Sequence, residues 1–255
     1  MTAAADEEVE RIADWVRDAR RIVVLTGAGI STESGIPDFR GPQGVWTRNP
    51  AAEKTATLQY YVRDPEVRRL AWKNRVESEM WQAQPNDGHR ALADLERRAN
   101  LDTLVTQNVD GLHQAAGSSP GRVVEIHGTV HAAKCLGCGW RGSMEETLDR
   151  VRAGEDDPEC LLCGGILKSA TISFGENLVP EDLMRAQSAA AGADLFLAAG
   201  TTLTVYPAAG LPEIALQNGA RLVILNNQET PFDDWASAIR RDQLGAVLPA
   251  VVERL

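Results

Sequence analysis

Apolar side chains recur at Val9, Ile12, Ala13 and Val16. That is the spacing of one helical face, and it predicts a helix over about residues 5–20. Arg21 to Thr26 follows as a short, β-branched and nearly all-apolar run. A strand that is apolar on both faces belongs inside a parallel sheet covered by helices. The same signature returns at 102–106, 123–126, 194–199 and 221–226, and helical patterns fall between most of these runs, at 88–99, 181–191 and 207–218. Strands alternating with helices predict an α/β fold whose ligands bind beyond the carboxyl ends of its strands. A final apolar segment, Leu244 to Leu255, predicts a C-terminal helix that Pro249 bends or starts.

Two stretches break this rhythm. Residues 30–64 are rich in Gly, Pro, Ser and Asn without a clear period, and a loop of that length inside a compact domain is usually functional. Residues 129–170 contain all four cysteines, Gly-rich turns and a polar middle, the pattern of a small inserted module. The expected organisation is therefore a doubly wound, mostly parallel Rossmann-like domain over 1–128 and 171–255. It includes the 30–64 loop, and the small cysteine-bearing module over 129–170 interrupts it.

Composition narrows the chemistry. The 255 residues carry 26 basic against 36 acidic side chains, a net charge of −10, and 44% are hydrophobic. That is ample for one large core. The acidic balance argues against a nucleic-acid partner, whose binding depends on neutralising phosphates. No apolar run approaches the roughly 20 residues of a membrane span. The acidic start, Met1 to Glu8, is not that of a signal peptide. A cytoplasmic location is expected, where thiols stay reduced. Cys135-x-x-Cys138 and Cys160-x-x-Cys163 then read as two halves of a tetrahedral sulfur site suited to one structural zinc. Two disulfides, or a redox-active CxxC, are the competing readings.

After the first strand comes Gly27-Ala28-Gly29, a turn that lets backbone N–H groups approach a phosphate. The full dinucleotide fingerprint is broken, because Thr32 stands where its third glycine would be. No acidic residue closes a second strand about 20 positions on, which disfavours a plain dehydrogenase. Gly200-Thr201-Thr202 follows a later strand, and Asn226 ends the next. These groups suit phosphate or ribose, and their agreement on one sheet edge is what separates them from ordinary turn residues. Gln107, Asn108 and Asp110 follow another strand, where packing needs no such polar set, and suit an amide and a ribose. His127 stands at a strand's carboxyl end, well placed to exchange a proton near neutral pH.

Together these motifs resemble the sirtuins, the NAD-dependent protein lysine deacylases, and in particular their short bacterial type. The matching residues are Gly27 to Gly41, Thr106 to His113, His127-Gly128, the two CxxC pairs, Phe174-Gly175-Glu176, Gly200 to Leu203, Tyr206-Pro207-Ala208 and Asn226. The resemblance implies an NAD and nicotinamide pocket lined by Ala28, Ile36, Asp38, Phe39 and Arg40. It implies contacts to the nicotinamide ribose and carboxamide from Gln107, Asn108 and Asp110. Gly27, Gly200, Thr201, Thr202 and Asn226 would hold phosphates and adenosine. His127 would be the general base, with Asn108 and Asp110 in the catalytic set. An acylated lysine would enter between the two units, its backbone adding as a strand between Phe174-Gly175-Glu176 and Val205-Tyr206.

The activity so implied is deacetylation of protein lysine, with nicotinamide and 2′-O-acetyl-ADP-ribose as the other products. Family members that prefer succinyl or malonyl groups carry Tyr-x-x-Arg in the acyl pocket. The nearest match here is Trp72-x-x-Arg75. Arg75 fits a carboxylate, whereas Trp72 departs from the tyrosine, so a desuccinylase or demalonylase activity is an expectation secondary to deacetylation. A protein ADP-ribosyltransferase or an NAD hydrolase on the same fold is the alternative.

Overall fold

A computed structural model describes residues 3–38, 44–48 and 50–255. In chain order, α1 (Ala3–Asp18) leads into β1 (Ile22–Thr26). Three helices follow, α2 (Val45–Arg48), α3 (Leu58–Arg63) and α4 (Pro65–Val76). Next come α5 (Asp87–Arg98), β2 (Leu101–Thr106), α6 (Leu112–Ala115) and β3 (Val123–Glu125). The cysteine-bearing stretch forms β4 (Gly128–Cys135), β5 (Arg141–Ser143), α7 (Met144–Arg152) and β6 (Leu167–Thr171). The chain then returns through α8 (Pro180–Ala191), β7 (Leu195–Ala199), α9 (Leu211–Gln217), β8 (Arg221–Leu225), β9 (Ala238–Arg240) and α10 (Leu244–Val252).

The main sheet has the order β3-β2-β1-β7-β8-β9, and all its pairs are parallel. β1 sits at the centre. The chain first winds outward through β2 and β3, then restarts at β7 beside β1 and winds the other way. The loops after β1 and β7 therefore diverge at one edge, where a doubly wound sheet opens a crevice. Alternate residues of each strand feed two hydrophobic layers. Ile22 and Val24 pack beneath α1, α5 and α10, while Val23 and Leu25 pack beneath α8 and α9.

The 30–64 stretch is not structureless. Following a single turn at Ala28–Ile30, it holds another at Thr32–Ser34, a longer 3₁₀ segment at Pro50–Ala56, and α2 and α3. Turns this short bury no repeating stripe, so no period shows in the sequence. Pro249 lies inside α10, neither starting nor ending it.

The cysteine-bearing stretch makes its own antiparallel sheet, β5-β4-β6. α4 packs upon it, and Trp72, fully buried, shares a core with Ala133, Met144, Leu148 and Leu167. Arg68 of α4 also forks onto the Asp157 carboxylate, with Nε and Nη2 within 3.0 Å of its oxygens. Helices from the first part of the chain and the 129–170 stretch thus build one smaller unit beside the crevice.

Candidate active site

The glycine turn after β1 is shaped by its neighbour. Gly29 N–H donates to the Gly200 carbonyl at 2.9 Å. Gly200 has φ +66°, and a side chain there would meet the Ile30 nitrogen at 2.5 Å. The two phosphate-type loops are therefore zipped together at the sheet's switch point, and glycine is needed where they touch. Between them and the smaller unit opens a crevice of about 890 Å³, the size range of small-molecule and cofactor sites.

Gly27, Ala28, Asp38, Gln107, Asn108, His127, Gly200, Thr201, Thr202 and Asn226 all line this crevice. So do Arg75, Phe174, Gly175, Glu176, Val205 and Tyr206. Ile36 is half-buried and is not among the lining residues. Phe39 and Arg40 lie outside the described residues.

Two expectations change. Trp72 does not reach the crevice, because its ring is consumed by the smaller unit's core, with the Arg75 guanidinium 5.2 Å from its centroid. Asp110 stands behind the wall. Its Oδ2 accepts from Ser31 Oγ at 2.7 Å and its Oδ1 from Leu112 N–H at 3.0 Å. Asp110 thus acts through Ser31, whose hydroxyl also accepts from Asn108 Nδ2 at 2.9 Å. Asn108 Nδ2 reaches the Gly27 carbonyl at 3.1 Å as well. Asn108 is thereby pinned between the first glycine turn and a buried serine–aspartate pair. Ser31, only 1% exposed, lies within the glycine-rich stretch, yet its role could not be read without knowing that Asp110 comes to meet it.

His127 follows β3 in the turn to β4. Its Nδ1 lies 3.1 Å from the Gln107 carbonyl oxygen. A carbonyl only accepts, so Nδ1 carries the ring proton and Nε2 keeps its lone pair. Burial pushes the ring's pKa below the ordinary histidine value, while the Gln107 contact opposes this. The imidazole is therefore neutral near pH 7 and competent as a base. Gln107 does double duty, since its Nε2 donates to Thr201 Oγ1 at 2.9 Å and ties the β2 end to the β7 end.

The other histidines lie deeper. His113 Nε2 donates to Thr26 Oγ1 at 2.9 Å, because the Thr26 proton is committed to Thr106 Oγ1 at 2.8 Å. The His89 ring lies tilted against that of His113, with centroids 4.9 Å apart, and its Nε2 is 3.5 Å from Ser31 Oγ. Burial takes His113 down to about 3 and His89 to about 4, the latter with Asp110 opposing. Both are neutral parts of the scaffold behind Asn108.

Toward the smaller unit the crevice has a polar end, lined by Arg75, Lys168, Ser169 and Thr171. Arg75 Nη2 donates to Ser169 Oγ at 2.9 Å, and Arg75 faces no carboxylate among the described residues. Tyr61, buried on α3, donates to the Leu167 carbonyl at 2.8 Å. Sequence reasoning missed Tyr61, Lys168 and Ser169, because their approach depends on α3 folding against β6. It also missed Arg241 at the opposite end, which donates to the Asn226 and Gln228 carbonyls at 2.8 and 2.6 Å. β9, which positions Arg241, is three residues long and left no pattern to read.

The four cysteine sulfurs lie within 4.8 Å of one another. Cys135 and Cys163 are 3.5 Å apart, and Cys138 and Cys160 are 3.8 Å apart. A disulfide requires about 2.05 Å. A tetrahedron of sulfurs about 2.3 Å from zinc has edges of about 3.8 Å. The donor set thus fits one zinc ion with no position left open.

The Sir2 family model matches residues 27–207. NAD-dependent protein deacetylase 2 of Streptomyces coelicolor is 51% identical over 234 residues, which is 92% of this chain and 97% of that protein. Among solved structures, a Sir2–p53 peptide–NAD+ complex superimposes with a TM-score of 0.85 at 36% identity, covering 95% of this chain and 96% of that one. Sir2Tm bound to a propionylated peptide gives a TM-score of 0.85 at 34% identity, covering 96% and 98%.

Proposed function

The chain belongs to the Sir2 family, and from that premise we propose how its crevice performs NAD-dependent deacetylation of protein lysine. The chain is a sirtuin-type enzyme. NAD lies along the switch-point edge, with its phosphates against the Gly27 and Gly200 turns and its adenosine toward Asn226. Asn108 holds the nicotinamide ribose, and the Ser31–Asp110 pair fixes the asparagine's orientation. Cys135, Cys138, Cys160 and Cys163 would hold zinc, which would keep the smaller unit folded and, with four sulfur ligands, would leave no position open for catalysis.

The acetylated lysine enters from the side of the smaller unit. Its acyl oxygen and the ribose carbon meet in a pocket that excludes water, and orientation does much of the catalytic work. The acyl oxygen bonds to the anomeric carbon as nicotinamide leaves. A ribose hydroxyl, its proton taken by His127 Nε2, adds to the acyl carbon, and the lysine amine leaves with that proton. One water, admitted after nicotinamide has gone, adds to the acyl carbon and releases the anomeric oxygen. The products are free lysine, nicotinamide and 2′-O-acetyl-ADP-ribose. Among the described residues, the peptide groups of Gly175 and Tyr206 have no hydrogen-bond partner. They support addition of the substrate backbone as a strand between these two segments. Arg75, which faces no carboxylate among the described residues, supports a second activity on succinyl- or malonyl-lysine, with Ser169 and Tyr61 in place of the missing tyrosine at Trp72.

The observation that carries this reading is His127 on the crevice wall with its Nδ1 proton held by Gln107. Incubating the protein with NAD and an acetylated peptide, read by mass spectrometry, tests it. Loss of the acetyl group with release of nicotinamide is expected. ADP-ribose on protein with the acetyl group intact marks a transferase instead.

A further inference from the structure

Lys134 and Lys168 stand opposite one another on the antiparallel pair β4–β6. Like charges at such a position destabilise the pairing. A carboxylate from outside the sheet joins them. Glu176 Oε1 accepts from Lys134, and its Oε2 accepts from Lys168 at 3.0 Å and from Ser173 N–H at 3.0 Å. The Lys168 side chain is 2% exposed, and its ammonium also donates to the Thr171 carbonyl at 2.6 Å. Burial lowers Lys168 to about 8. Desolvation alone would raise Glu176, yet the hydrogen bonds from Lys134, Ser173 and Lys168 hold it below the usual carboxylate range.

The carboxylate thus belongs to the loop that lines the crevice, and both its cations belong to the smaller unit's sheet. β4 ends one residue beyond Lys134, at Cys135, the first sulfur of the metal site. On the other flank the same loop is tied to the end of the 3₁₀ segment and the start of α3, with Phe174 N–H on the Ala56 carbonyl at 2.8 Å and Leu58 N–H on the Phe174 carbonyl at 3.0 Å. Gly175 projects between these anchors with φ +82°.

We propose that the Lys134–Glu176–Lys168 triad is a positioning device for the acylated peptide, setting the level at which the Gly175 backbone meets the substrate strand opposite Tyr206. The inference rests on the strand-addition reading above. It makes Glu176 a residue that acts through the loop, with no side-chain contact to the substrate. Its function is to govern peptide affinity while leaving NAD affinity untouched, since neither Lys134 nor Lys168 reaches the glycine turns.

The test is steady-state kinetics of the zinc-loaded full chain with an acetylated peptide and NAD titrated separately. Glu176→Gln should raise the peptide KM about tenfold, a change of about 1.4 kcal/mol, with the NAD KM within about twofold. Lys134→Met leaves the buried Lys168–Glu176 pair intact and should raise the peptide KM by about threefold. Because a lone buried Lys168 threatens folding, the double variant Lys168→Met/Glu176→Met removes both charges together and should show the same selective rise. Folded variants with an unchanged peptide KM, or with both KM values rising in parallel, overturn the proposal. Absence of NAD-dependent deacetylation by the unaltered chain would instead overturn the functional reading.

Discussion

His127 Nδ1 and the Gln107 carbonyl oxygen lie 3.1 Å apart, and the next side-chain link from Gln107 runs to Thr201 on the opposite crevice wall. One residue therefore fixes the His127 tautomer and joins the β2 and β7 strand ends that line the crevice. His127→Ala should lower turnover by about 10²–10⁴-fold, the usual contribution of a general base. The thermal midpoint should shift little, because the ring is half-buried and stands at a turn. Near-normal deacetylation by that variant would remove His127 from its role.

The pH dependence follows from burial. His127 has its pKa below the ordinary 6.5, so the base stays unprotonated to lower pH than a free imidazole would. The acid limb of kcat/KM should fall below pH 6.5, and a limb above that value would contradict the placement.

Stability has its own acid limb. His89 and His113 are neutral in the folded protein, at about 4 and about 3, and titrate near 6.5 when unfolded. The unfolded chain therefore binds more protons as pH falls below 6.5, and stability drops. The slope approaches about 1.4 kcal/mol per pH unit for each histidine. Urea midpoints measured between neutral pH and pH about 4 should show it, and His113→Phe should flatten the slope while losing the Thr26 hydrogen bond. A slope unchanged in that variant would show that other groups dominate.

Ser31→Ala should cost about 1–3 kcal/mol in orienting Asn108, read as roughly a tenfold or greater fall in kcat/KM for NAD. The peptide KM should stay near its original value. An effect on peptide alone would mean that Ser31 only packs.

Arg75→Leu should lower activity on a succinylated peptide about tenfold or more relative to an acetylated one, because a bidentate partner for the carboxylate is lost. Equal effects on both peptides would leave Arg75 with a packing role. Trp72→Ala, in contrast, should destabilise the smaller unit by about 3–5 kcal/mol without changing the ratio between the two acyl groups.

The strands of the parallel sheet were legible because each is a run of apolar residues bounded by turns, and β1, β2, β7 and β8 fall within a residue of expectation. The cysteine site was legible because CxxC spacing encodes a knuckle wherever it occurs. Less legible were features made by distant segments meeting. Trp72 looked like a pocket residue because Arg75 is one. The two lie a turn apart on the same side of α4, but the Trp72 ring ends in the smaller unit's core while the longer Arg75 side chain runs past it to the crevice. Asp110 looked like a ligand contact, and only the arrival of Ser31 from the loop after β1 shows whose partner it is. Lys168 sits in a strand too mixed in character to announce a buried cation, and its counter-ion lies eight residues on, in a loop.

The most direct measurement uses an acetylated peptide carrying heavy oxygen in its acetyl carbonyl, with NAD in ordinary water. If the acyl oxygen displaces nicotinamide, the label must appear on the anomeric ribose carbon of O-acetyl-ADP-ribose, with nicotinamide released in equal amount. Label retained in acetate, or nicotinamide released with the peptide still acetylated, would contradict the mechanism at its first step.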